Sequence, residues 1–209
     1  MPEALTYSSL VQDVIVYAER SDQPFTTQVP RLIMLAENRL ASEIKGLGFL
    51  KVASFTLTSS QPIYEKPARW RETKNFSILA GTDRKFLLPR GYEYCRTYNS
   101  DATTTGAPSY YADYDYEHFY LARSPDQAYS AEMSYYERPE PLSESNETNW
   151  TTQYAPQLLL YATLLEAQPF LKMPERIAEF QALYDRAMSS ITKENMTRTN
   201  DSSIVRTKQ

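Results

Sequence analysis

The spacing of apolar residues changes character three times along the chain. In "TYSSLVQDVIVYAER", Leu10, Val14 and Ala18, with Val11 and Ile15, recur at helical spacing. This predicts an amphipathic helix with Thr6 as its N-cap, ended by Asp22 and Pro24. In "TTQVPRLIMLAENRLASEIKG", Ile33, Ala36, Leu40 and Ile44 form a second stripe, with Pro30 in the first turn. Thr26 or Thr27 is the expected cap and Gly46 the expected residue past the end, while Glu37, Arg39, Glu43 and Lys45 fall mostly off the stripe.

From about Lys51 to Tyr136 the period drops to two. "KVASFTLT" alternates, and "FSIL", "KFLLP", "YEYCRTY", "SYYADYDYEHFYLA" and "AYSAEMSYYE" are short β-branched or aromatic runs between turn formers. "RPEPLSESNETN", Arg138 to Asn149, has no period and reads as a linker or long loop. Helical spacing then returns. "YAPQLLLYATLLEAQPFL" is apolar almost all round, with Pro156 in its first turn and Pro169 as its expected stop. A fourth helix is expected from Pro174, with Glu175 near its positive end and a stripe of Ile177, Phe180, Tyr184, Met188 and Ile191. Asn195 to Gln209 is polar and aperiodic and reads as a tail disordered in the free chain.

These elements predict an α+β fold: a helical bundle from two N-terminal and two C-terminal helices, with an inserted antiparallel β-rich subdomain. The expected boundaries are 1–48 with 149–193 for the bundle, 49–137 for the insert, 138–148 for the linker and 194–209 for a flexible C-terminal tail. The apolar run from Ala155 to Ala167 is 13 residues long, against roughly 20 for a membrane span. It is therefore expected to face its own bundle or a neighbouring subunit. The residues expected to pack there are Trp150, Pro156, Leu158, Leu159, Leu160, Leu164, Leu165 and Phe170.

Composition narrows the chemistry. The net charge is −4 with a pI near 5.2, so there is no general pull toward nucleic acid or an acidic membrane. One cysteine, Cys95, and one histidine, His118, allow no internal disulfide and no zinc site of the usual kind. The opening "MPEALTYSSLVQD" has no basic start and no apolar stretch, so no signal peptide is expected, and the sequons at Asn146, Asn195 and Asn200 read as chance matches.

Candidate sites each have a plainer reading beside them. Strand alternation places Asp113, Asp115 and Glu117 on one face, but His118 stands where a calcium loop needs glycine, so a solvated acidic face is expected. Cys95 and His118 lack any nucleophile motif, and "GLG" at 46–48 lacks the third glycine of a phosphate loop. Eleven of the 17 tyrosines lie between Tyr92 and Tyr136, yet from Tyr92 to Arg138 three basic residues face eight acidic ones, which disfavours base stacking and leaves a sugar-binding face open. "KPARWRETK" is locally basic and reads as a solvated loop, or as a protein contact through Arg69, Trp70 and Arg71. No catalytic residue, metal or cofactor is expected.

Two stretches resemble the head–tail adaptor, or connector, proteins of short-tailed bacteriophages. One is Thr6 to Leu47, through Tyr17, Arg20-Ser-Asp22, Phe25, Pro30 and Leu35-Ala-Glu37. The other is Asn149 to Ile191, through Asn149-Trp150, Pro156, the Leu/Tyr/Ala run, Glu166-Ala167, Pro169-Phe170-Leu171, Glu175-Arg176 and Tyr184. The β-rich middle carries no matching motif. The resemblance implies a structural virion protein rather than an enzyme, forming a ring of twelve copies below the capsid portal and joining it to the tail (nozzle) protein. It also implies a genome passage without sequence-specific binding, a role in DNA ejection, no membrane, and assembly in the host cytoplasm. A C-terminal segment would dock onto the portal, for which Met196, Arg198, Ile204, Val205, Arg206 and Lys208 are the expected contacts. The alternative is a tyrosine-rich carbohydrate-binding module; a third reading is a small enzyme using the carboxylates near Asp113.

Overall fold

The computed structural model describes residues 5–101, 103–172 and 176–199. By contacts the chain divides into two compact units, Met1–Phe49 with Arg138–Gln209, and Leu50–Glu137.

In the first unit, α1 (Tyr7–Tyr17) starts at Thr6, whose side chain accepts from Ser9 N while the Ser9 hydroxyl returns the contact. A short α2 (Gln23–Thr26) precedes α3 (Val29–Glu43). Most of the two predicted N-terminal stripes is buried: Leu10, Val14 and Ala18 in and just after α1, with Val11 and Ile15 half-buried, then Ile33, Ala36, Leu40 and Ile44 along and just after α3. Neither Thr26 nor Thr27 caps α3; its N-cap is Gln28, without a side-chain bond. Gly46 does not adopt the left-handed conformation either. It lies instead against Asn195, and Gly48 lies against Trp150, so that a Cβ on Gly48 would sit 2.0 Å from the indole.

After the sheet come α5 (Trp150–Tyr154), α6 (Pro156–Leu171) and α7 (Ile177–Thr199). α6 packs against α1, α3, α5 and α7, which is why it can be apolar on every side. Two polar side chains in it are turned onto its own backbone, Thr163 to the Leu159 carbonyl at 2.8 Å and Gln168 to that of Leu164 at 3.1 Å. Pro169 does not stop α6. The helix runs on to Leu171 and ends where Lys172 turns left-handed at φ 57°. Pro169 removes one N–H, the one that would have met the Leu165 carbonyl, and that single loss does not end a helix packed on four neighbours. α7 continues through residues 194–199. The expected helix start at Pro174 and Glu175, the sequon at Asn200 and the contacts at Ile204, Val205, Arg206 and Lys208 lie outside the described residues.

The second unit holds β1 (Leu50–Leu57), β2 (Ile63–Glu65), β3 (Trp70–Ala80), β4 (Asp83–Pro89), α4 (Tyr92–Tyr98), β5 (Tyr110–Asp113), β6 (His118–Leu121) and β7 (Tyr129–Glu137). The strands form one sheet of seven, in the order β1-β7-β3-β4-β5-β6-β2. β4 and β5 run parallel through Leu88↔Tyr110 and Pro89↔Tyr111, and every other pairing is antiparallel. In a flat sheet β1 and β6 would be on the order of 24 Å apart, at about 4.8 Å per step. Yet the Phe55 ring of β1 sits 6.0 Å from Phe119 of β6. The Tyr64 hydroxyl of edge strand β2 accepts from Thr58 N at 2.7 Å and donates to its carbonyl at 2.9 Å, just past the other edge. The sheet is therefore curled into a half-barrel around Leu57, Phe76, Ile78, Phe119, Leu121 and Met133.

This corrects the expected fold class. The protein is a mixed α+β structure whose curled seven-stranded sheet dominates the core, rather than a helical bundle carrying a small antiparallel insert. The strands are too short to enclose a core singly, and only by pooling seven of them does the chain do so. "YEYCRTY" is also corrected from strand to helix α4, and "DYDYEH" from a continuous strand to the turn between β5 and β6.

Phe76 is 1% exposed, and its ring lies 5.7, 5.3 and 5.0 Å from Phe55, Tyr111 and Phe119. Phe76→Ala is expected to cost about 3–5 kcal/mol in urea unfolding. A loss under about 1 kcal/mol would contradict a single shared core.

Candidate functional site

The residues that carry the family resemblance at the two ends of the chain meet one another. Glu37 lies on α3 between the turns of Ile33 and Leu40, and it is only 6% exposed. Its carboxylate accepts from Leu142 N at 3.1 and 3.3 Å and from the Asn149 side-chain amide at 2.7 Å. The Asn149 side-chain oxygen Oδ1 in turn accepts from Thr151 N at 3.0 Å and Thr152 N at 3.2 Å, which starts α5. Two residues earlier, Glu147 accepts from Ser8 N at 2.9 Å and the Ser8 hydroxyl at 2.6 Å, at the positive end of α1. The returning segment is thus stitched to both N-terminal helices. Burial pushes the Glu37 carboxyl above its ordinary 4.5, against the pull of the Leu142 and Asn149 donors. At Glu147, the Ser8 hydroxyl and N–H hold the carboxyl below the usual range.

A second junction joins α3, α6 and α7. The Tyr184 hydroxyl donates to Glu43 at 2.5 Å, and Arg39 lies 4.9 Å from the Tyr184 ring centre. Arg39 also pairs with Glu43 at 3.0 Å and Glu166 at 3.3 Å. Burial, then the Glu43 carboxylate, raise the Tyr184 phenol far above its ordinary value, so it stays a donor. A third junction pairs Arg20 with Asp22 and lays Arg20 5.2 Å from the Phe170 ring, itself 5.8 Å from Phe25. At the fourth, Trp150 sits 5.1 Å from Phe49 and stacks on Tyr154 at 6.0 Å.

Of the expected packing residues, Leu158, Leu159, Leu164 and Leu165 are buried, Trp150, Leu160 and Phe170 are half-buried, and Pro156 is exposed in the first turn of α6. Met196 is 58% exposed, and Arg198 pairs with Glu194 at 2.6 Å one turn back.

The basic stretch is largely neutralised within its own unit. Arg69 bonds the buried Glu137 at 2.6 and 2.9 Å. Lys66 pairs with Asp113 at 2.9 Å and lies 3.9 Å from the Trp70 ring centre. Trp70 is half-buried with its indole N–H on Thr73 at 3.0 Å, and Arg71 is half-buried beside it on β3. Asp115 accepts from Glu117 N at 2.7 Å and His118 N at 2.6 Å and contacts His118 Nδ1 at 3.0 Å, so it builds the hairpin turn. Cys95 is buried in α4, and burial raises its thiol. Among the described residues no three His, Cys, Asp or Glu side chains gather to hold a metal, and no helix is long and apolar enough to cross a membrane.

Sequence reasoning missed Glu37, which spacing placed off the apolar stripe, and the Arg39–Glu43–Tyr184 junction. Periodicity held no signal for either, because the partners of both lie more than a hundred residues away. It also missed the tyrosine cluster on α4, whose Tyr94 and Tyr98 stand at helical i, i+4 spacing.

The residues that carry the likeness at the two chain ends are thus brought together by packing and hydrogen bonds. The family model of the SU10 adaptor protein matches residues 5–207, and the chain belongs to that family, as a structural phage adaptor. No curated protein matches it.

Glu37→Ala is expected to leave the buried Leu142 N–H unpartnered and the Asn149 amide with only its 3.5 Å contact to the Glu140 carbonyl, and to cost about 2–3 kcal/mol. Because the folded carboxyl is raised, its contribution is fully present below the ordinary carboxylate value and is lost as pH rises through the raised one. Glu37→Gln, which still accepts but cannot ionise, should therefore gain on the wild type as pH climbs from acid to neutral. Urea unfolding across that range would read it, and a constant difference at every pH would contradict it.

Proposed function

We propose that this adaptor forms a ring, of twelve copies, between the capsid portal and the tail of a short-tailed phage, and that the ring continues the channel for genome DNA. The observation that carries the reading is the family match over residues 5–207. The interlocked helices agree with it, because a ring subunit has to transmit force without shearing. In this reading 1–48 with 149–193 and 49–137 act as separate domains, with 138–148 as the connector. Trp150, Pro156, Leu160 and Phe170, which keep some exposure, supply packing toward neighbouring copies, while Leu158, Leu159, Leu164 and Leu165 hold the subunit itself. Met196, Arg198, Ile204, Val205, Arg206 and Lys208 dock the C-terminal end on the portal, a nozzle protein binds the far side, and the protein resides in the virion after assembly in the host cytoplasm. An acidic chain with pI near 5.2 suits a passage that must not grip DNA.

Native mass measurement of the purified protein mixed with its portal is expected to give one large cyclic complex. Persistence of free subunits with portal present would overturn the reading. Removing residues 200–209 leaves α7 whole, with Asn195 still against Gly46. The shortened chain is expected to keep its thermal midpoint and to bind portal more weakly. Undiminished binding would remove the tail from the docking contact.

A further inference from the structure

We draw no further inference here: the strongest candidate, the surface patch that Leu79 of β3 forms with Phe86 and Leu88 of β4, 42, 60 and 49% exposed on the side of the sheet away from its core, is an unpartnered apolar face, and nothing in the structure shows what covers it.

Discussion

The buried carboxylate of Glu37 is the contact on which the helical unit depends. The chain leaves that unit at Phe49 and re-enters it at Arg138; the Leu50↔Tyr136 pairing brings it back beside its exit but does not fix the path of the segment that follows. Glu37 supplies the address by accepting Leu142 N–H and the Asn149 amide. Asn149 then starts α5, and α5 leads into α6, the helix that every neighbour packs on. A hydrophobic side chain at position 37 would pack equally deep but would not choose between registers. Directional bonds in a water-poor site do choose, because each misplaced donor costs its full desolvation.

Much of this unit was legible in the sequence. Ile33, Ala36, Leu40 and Ile44 point inward as their spacing requires, and an all-round apolar α6 demanded neighbours on all sides. Glu37 was not legible, because periodicity sorts residues by polarity and treats an acid as a surface residue. The burial of an acid is decided by partners more than a hundred residues away in sequence. Pro169 misled in a similar way, since the one bond it removes, to the Leu165 carbonyl, is outweighed by packing that local sequence does not reveal. Residues 200–209, where four of the expected docking residues fall, lie beyond what the structure describes.

In the sheet unit, local preference and tertiary context disagreed more often. Aromatic residues favour strands, and "YEYCRTY" was read as one. Its only fully buried residue is Cys95, and a strand would have buried every second residue, which here includes Glu93 and its neighbours in alternation. Charge counting over the whole stretch likewise hid the separation that folding produces. The acids near Asp113 are engaged by Lys66 and by a turn, while Arg90, Arg96 and Arg123 are left on tyrosine rings.

The sheet order has a consequence for synthesis. β7 is the last strand made, yet it lies inside the sheet between β1 and β3. A nascent chain that has emerged only as far as Asp126 therefore carries two long strands that have no partner for each other. Such unpaired edges are where chains join wrongly. The helical unit is later still, since Glu43 meets Tyr184 only when α7 has appeared. The sheet unit can close once Glu137 is out, so the two units complete at different stages of synthesis. Until β7 arrives, the open edges of β1 and β3 are what a half-made sheet offers to wrong partners, and its closure is what removes them.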